Sequence, residues 1–215
     1  MPKPHLLCDL DGTIADFVTH FLHHFHVDHN RFMKSWPVGQ YSMDPWFSSL
    51  AGISLAEAID GLPDRFWTEM PEYTWTTKIL QELGTYGVTF VSIAGNDRAV
   101  RGKAAWIDLH VPRSLTWNFI PVASAAEKIR LAQDHTVLLD DREDTVMHFR
   151  RHGHRAVLMP ARWNSASESP TMTDISSLIE EVRSEFSAIA TCTRGTHQGE
   201  PVPAGLRDPT MEMSE

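Results

Sequence analysis

The chain has 215 residues, 42% of them hydrophobic and 22% charged, ordinary proportions for a globular protein with a full core and one modest insertion. A formal net charge of −9 speaks against binding nucleic-acid polymers, which asks for a basic face, but leaves a small phosphate ester open because the local field decides that. Two cysteines, Cys8 and Cys192, exclude a disulfide framework, and no apolar stretch has membrane-spanning or signal-peptide character, so a cytoplasmic protein without a membrane partner is expected.

His5-Leu6-Leu7-Cys8 is a short apolar run that stops at Asp9-Leu10-Asp11-Gly12-Thr13, the pattern of a buried strand presenting carboxylates at its C-terminal end. Phe17, Phe21 and Phe25 recur every four residues and place a helix directly after that loop. Its other face carries His20, His23, His24 and His26, which read as a solvated face because no Cys or carboxylate joins them at ligand spacing. From Asn30 to Tyr73 aromatic residues crowd in among Pro37, Pro45 and Pro63, with no strand alternation. Ser54-Leu55-Ala56-Glu57 is a capping box that opens a short helix, and Leu62-Pro63-Asp64 opens another. Most of these rings read as the core of a small helical insertion. Trp46 and Phe47, flanked by turn residues, are the pair expected to face the acidic loop and stack on a flat substrate ring.

From Trp75 the pattern is regular. A helix over 75–86 precedes a β-branched strand over 88–93, which ends at Ala94-Gly95-Asn96-Asp97. A helix to about 110, a strand over 115–120 and a helix over 124–132 follow, and then a strand over 136–139 runs into Asp140-Asp141. A helix over 144–152, a strand over 155–159 and a helix over 175–189 complete the series. Strands alternating with helices predict an α/β, Rossmann-like parallel sheet flanked by helices, with the helical cap inserted after the first strand. The core is expected over 1–16 and 75–190, the cap over 17–74 and a disordered tail, rich in Gly, Pro, Thr and Glu, over 191–215. Ligands of such sheets bind beyond the C-terminal strand ends. That rule gathers Asp9, Asp11, Ser92, Asp140 and Asp141 on one edge.

Asp9-Leu10-Asp11-Gly12-Thr13 resembles motif I, Asp-x-Asp-x-Thr, of the haloacid-dehalogenase-like phosphatases. Phosphoryl transfer needs an in-line nucleophile, neutralisation of the equatorial oxygens and a proton for the leaving alkoxide. Asp9 is the expected nucleophile, forming an aspartyl-phosphate, and Asp11 the general acid and then base. Mg²⁺ would be held by Asp9, the Asp11 carbonyl and Asp141, with Asp140 ligating or tuning beside them. Ser92, Ile93, Lys128, Gly12 and Thr13 form the expected phosphate-binding set, with the Ser92 hydroxyl and the Lys128 charge its main donors. Trp46, Phe47, Lys103 and Arg142 form the expected substrate-binding set.

Acids, then Ser, then Lys, then paired acids follow the four-motif order of that superfamily. The chain is most similar to the 5′(3′)-deoxyribonucleotidase family, including its bacterial and phage members. The resemblance lies in Asp9 to Phe17, in Phe66-Trp67 before an acidic-Met-Pro turn, in Lys103-Ala104-Ala105-Trp106, and in Leu138-Leu139-Asp140-Asp141-Arg142-Glu143-Asp144. It implies a cap that shapes a nucleotide pocket and removal of phosphate from deoxyribonucleoside monophosphates; relatives of this kind are often dimers. The chain departs from the family at Ser92-Ile93-Ala94, at Ala126-Glu127-Lys128 and in the order Trp46-Phe47. Two alternatives stand beside it: a phosphatase of a sugar phosphate or other small metabolite, and a binding module that keeps the fold without turnover.

Overall fold

Five strands, β1 (His5–Cys8), β2 (Val88–Ile93), β3 (Trp117–Val122), β4 (Thr136–Asp140) and β5 (Arg155–Leu158), form one sheet in a computed structural model that describes residues 3–166 and 170–195. Their order is β3-β2-β1-β4-β5 and every neighbouring pair is parallel. This is the expected α/β, Rossmann-like arrangement. Alternate residues supply two cores: Leu6, Cys8, Phe90 and Leu139 lie on one face, and Leu7, Val91, Leu138 and Ala156 on the other. Both faces are apolar, as a parallel sheet sandwiched by helices requires. The chain order reverses at β1, which lies between β2 and β4, so the crevice of this sheet opens above those three strand ends.

Between β1 and β2 the chain adds no strand to the sheet and runs first through α1 (Phe17–His24), α2 (His29–Ser35), α3 (Asp44–Ala51), α4 (Leu55–Gly61) and α5 (Asp64–Thr68). Asp16 and Asp28 cap α1 and α2 by accepting from the Thr19 and Arg31 amides, and the Ser54–Glu57 capping box opens α4. After β1–α5 the chain alternates through α6 (Thr76–Leu83), α7 (Asp97–His110), α8 (Ala125–Lys128), α9 (Glu143–Arg151) and α10 (Met172–Gly195). α5 lies directly on α7. Gly102 permits the approach, since a Cβ there would fall 2.5 Å from the Asp64 carbonyl oxygen. Arg101 pairs with Asp64 at 2.8 Å, and Arg98 reaches the Asp60 carbonyl.

Three elements depart from expectation most clearly. β3 begins two residues later and continues through Pro121, which an edge strand tolerates because its outward amide has no partner to lose. α8 is a single turn that tightens into a 3₁₀ segment over Ile129–Leu131. α10 starts earlier and extends to Gly195, past the expected start of the tail; the rest of that tail, 196–215, lies outside the described residues. No helix among the described residues is long and apolar enough to cross a membrane.

Candidate active site

The β1 ladder extends one residue beyond the strand, the Asp9 amide donating to the Leu139 carbonyl at 2.9 Å. That pairing puts Asp9 beside Asp140, the last residue of β4, with Asp141 next in line. The chain then turns tightly: the Leu10 carbonyl accepts from the amides of Thr13, Ile14 and Ala15 at 3.3, 3.0 and 2.9 Å. Gly12 makes this turn at φ +80°, and a Cβ there would run into the Asp141 carboxylate.

Carboxylate oxygens of Asp9, Asp140 and Asp141 lie within 4.8 Å of one another, and all three residues are buried. Lys128, at the end of α8 and also buried, places Nζ 2.9 Å from Asp9 Oδ1 and 2.7 Å from Asp140 Oδ2. The other Asp140 oxygen accepts from the Arg142 amide at 2.8 Å, so both of its oxygens are engaged. Asp141 Oδ2 accepts from the Trp163 indole Nε1 at 2.5 Å. Burial pushes the Asp140 pKa up to about 6 against the pull of Lys128. Burial, then the charges of Asp9 and Asp140, drives Asp141 well above the ordinary carboxylate range. Three buried carboxylates against one ammonium leave a deficit of positive charge. A divalent cation that prefers hard oxygen ligands fits that deficit and that donor set. Asp141 is the carboxylate best placed to bind it directly alongside Asp9, since Asp140 is committed to Lys128 and the Arg142 amide.

Asp11 stands apart from this trio. Lys103 Nζ lies 2.5 Å from its Oδ2, 3.0 Å from Ser92 Oγ and 2.5 Å from the Ile93 carbonyl. The Ser92 hydroxyl lies 3.4 Å from the same Asp11 oxygen. Lys103 is fully buried, with its ammonium 4.6 Å from the centre of the Trp67 ring. The second Asp11 oxygen is buried without a partner. Burial raises the Asp11 pKa, and Lys103 acts in the opposite direction.

The remaining expected residues fall in several places. Lys103, expected at the substrate, has all three N–H donors engaged on Asp11, Ser92 and Ile93. Thr13 is fully buried, its hydroxyl unpartnered and its carbonyl taken by Trp75 Nε1 at 3.0 Å. Arg142 makes a two-pronged pair with Asp144 at 2.6 and 2.7 Å and stacks over Tyr41. Phe47 is fully buried in α3 against Phe21 and Phe25, with ring centroids 4.8 and 5.5 Å away, and so offers no face to a substrate. Trp46 packs, half-buried, against the same core.

Sequence reasoning missed Lys103 as the partner of Asp11, and missed Trp163 and Asn164 altogether. A signal existed for the first: Ala99, Lys103 and Trp106 share one face of α7, and a lysine on an otherwise apolar face is a buried lysine seeking an anion. Trp163 and Asn164 lie in an aperiodic loop after β5, where residue spacing carries no signal. Two cavities border Trp163. One of about 330 Å³ is lined by Gly12, Asp16, His29, Tyr73 and Trp75 among others, and one of about 430 Å³ by Gly39, Tyr41, Asp144 and Met147 among others.

No protein-family model matches the chain, and no curated protein matches it. Among solved structures, CbbY from Rhodobacter sphaeroides in complex with phosphate is 14% identical, with a TM-score of 0.46 over 77% of this chain and 90% of that one. A hydrolase from Streptococcus pneumoniae TIGR4 is 12% identical, with a TM-score of 0.49 over 84% of this chain and 100% of that one. A phosphonoacetaldehyde hydrolase-like protein from Oleispira antarctica is 13% identical, with a TM-score of 0.46 over 93% and 96%. Likeness at this level says nothing about chemistry, which rests on the side chains of the site.

Proposed function

We propose that this protein is a Mg²⁺-dependent phosphomonoesterase of the haloacid-dehalogenase type, acting on deoxyribonucleoside monophosphates through a phosphoryl group carried on Asp9. The observation that carries the reading is the convergence of Asp9, Asp140, Asp141 and Lys128 at adjacent strand ends, with Asp11 held separately by Lys103 and Ser92. Bound between Asp9 and Asp141, Mg²⁺ would supply charge neutralisation for the transferring phosphoryl oxygens.

The chain's own residues divide the rest of the work. Lys128 fixes one Asp9 oxygen and leaves the other for attack on phosphorus. As the P–O ester bond breaks, Asp11 passes its proton to the departing oxygen, a task suited to a carboxyl whose pKa burial has raised. Asp11 then takes a proton from water as that water attacks the phosphorus, releasing phosphate and restoring the Asp9 carboxylate. Lys103 and Ser92 hold Asp11 in one orientation throughout.

Support for the nucleotide as substrate comes from the sequence resemblance, and the two motifs beyond the acids have a structural sense. Trp106 Nε1 donates to the Met70 carbonyl at 2.7 Å and so anchors the turn after Phe66-Trp67, while Trp67 covers Lys103. A second reading, a phosphatase of a sugar phosphate or other small metabolite, is favoured by the burial of Phe47, which removes one of the two rings meant for a base.

Phosphate release from a panel of nucleoside and sugar monophosphates, with Mg²⁺ and with EDTA, tests the reading. We expect dUMP or dTMP to exceed sugar phosphates, EDTA to stop turnover, and Asp9→Asn to reduce it at least about a thousandfold in a folded protein. A sugar phosphate preferred tenfold would replace the nucleotide assignment and keep the chemistry. Turnover untouched by Asp9→Asn would remove the mechanism.

A further inference from the structure

Trp163 meets both the carboxylate cluster and the inserted helices. Its indole Nε1 donates to Asp141 Oδ2, and its ring lies parallel to Trp36, the planes 12° apart and the centroids 5.6 Å apart. Trp36 is the residue that ends α2. The loop on either side of Trp163 is fastened in both directions. Arg162 donates to the Met33 and Trp36 carbonyls at 2.7 and 3.1 Å, and its own carbonyl accepts from the Gly39 amide at 2.8 Å. Asn164 Nδ2 donates to the Asp141 and Met159 carbonyls, both at 2.8 Å. The same Asp141 oxygen that Trp163 holds rests against Gly12, where a side chain would have no room.

We propose that Trp163 is a positioning residue that fixes the Asp141 carboxylate for the divalent cation and, through its stack on Trp36, makes that geometry depend on the seating of α2. The inference rests on the reading of Asp9, Asp140 and Asp141 as a cation site. An aspartate carboxylate turns freely about its last bond, and a broad range of orientations is accessible to it in the absence of a directional partner. Trp163 on one side and Gly12 on the other hold Oδ2 and so restrict that rotation, in a carboxylate that has an oxygen within 4.8 Å of those of Asp9 and Asp140. Groups that orient a metal-binding side chain in this way are worth about tenfold to a hundredfold in metal affinity. The indole in turn keeps its angle because a second large ring covers its face. If α2 shifts, Trp36 moves with it and the donor is released to tilt away from Asp141.

Calorimetric titration of the full chain with Mg²⁺, in the absence of substrate, reads both parts. Trp163→Phe keeps an aromatic face against Trp36 and removes the pyrrole half of the indole with its N–H donor; we expect the Mg²⁺ Kd to rise at least about tenfold, while KM for the ester at saturating Mg²⁺ moves less than about twofold. Trp36→Leu keeps the N–H and removes the stack; we expect a rise of about threefold or more, and no further rise when it is added to Trp163→Phe, because the donor through which it acts is already gone. A Trp163→Phe Kd within about twofold of the parent overturns the positioning role. An unchanged Kd in Trp36→Leu, or full additivity in the double variant, overturns the link to α2, and the Trp36→Leu measurement alone stands even if Trp163→Phe fails to fold. A parent chain that binds no Mg²⁺ overturns the cation site itself, an outcome separate from these.

Discussion

Lys128 and Lys103 are both buried at the mouth of the sheet, and their surroundings differ in charge. Around Lys128 stand Asp9 and Asp140, with Asp141 close by: three carboxylates to one ammonium. Around Lys103 stand one carboxylate, Asp11, and two neutral oxygens, those of Ser92 and the Ile93 carbonyl. The second region is balanced, with each N–H of its lysine satisfied. The first is short of positive charge, and burial makes that shortage costly. A buried lysine therefore does not by itself reveal whether a site needs a cation. The number of carboxylates that face it does.

Removing each lysine in turn tests the contrast most severely. Lys128→Met deprives Asp9 and Asp140 of their shared ammonium, and in EDTA it should lose about 3–5 kcal/mol of stability to chemical denaturant. Saturating Mg²⁺ should restore much of that loss, because the ion occupies the same charge deficit; no recovery would mean that the cluster does not hold a cation. Lys103→Met should lose less, about 1–3 kcal/mol, and Mg²⁺ should not restore it, since Asp11 escapes its isolation by taking up a proton. Lys103 holds the Asp11 pKa down, so its loss raises that pKa further. The alkaline limb of the pH–rate profile should accordingly move to higher pH in this variant. A limb that stays in place would separate Asp11 from the proton transfer.

The smallest effect belongs to the unaltered chain. Asp140 has its folded pKa raised to about 6 from 3.8, with Asp141 raised as well, so the folded state binds these protons more tightly than the unfolded one. The Asp140 contribution is fully present below about pH 3.8 and is lost as the pH rises through about 6, and the Asp141 contribution acts in the same direction. Mg²⁺ bound at the proposed site would replace those protons. The stability gained on adding Mg²⁺ to EDTA-treated protein should therefore grow, by on the order of 1 kcal/mol, as the pH is raised across that window. Parallel thermal melts with EDTA and with Mg²⁺ check it, and a gain that is flat with pH would contradict the assigned cause.

What could be read from the sequence follows the same division. Apolar runs that end at Asp9, beside Ser92 and at Asp140 announce both a buried strand and its polar end, and the parallel sheet then brings those ends together. The inserted helices are harder to read because their aromatic residues serve one another. Pro45 and Asp44 look like turn residues beside Trp46 and Phe47. They are the first turn of α3, where proline is tolerated, and Asp44 accepts from the Leu55 amide and the Ser48 hydroxyl. Met43 and Phe47 stand one helical turn apart on the buried side, so the ring expected at the substrate belongs to the core. At the far edge, Pro121 reads as a stop although β3 continues through it, because an edge strand needs only one of its two hydrogen-bonding sides.

The contact between α5 and α7 has an effect beyond packing. At Gly102 the two helices meet so closely that one added methyl group would press on the Trp67 Cβ as well as on the backbone of Asp64. Trp67 roofs the Lys103 ammonium, and Lys103 sets how firmly Asp11 keeps its proton. A wedge as small as alanine at position 102 would lift that roof and let water in beside the ion pair, softening the field that the acid feels. The acid strength of the Asp11 carboxyl thus depends, two residues removed, on how near a pair of helices can come.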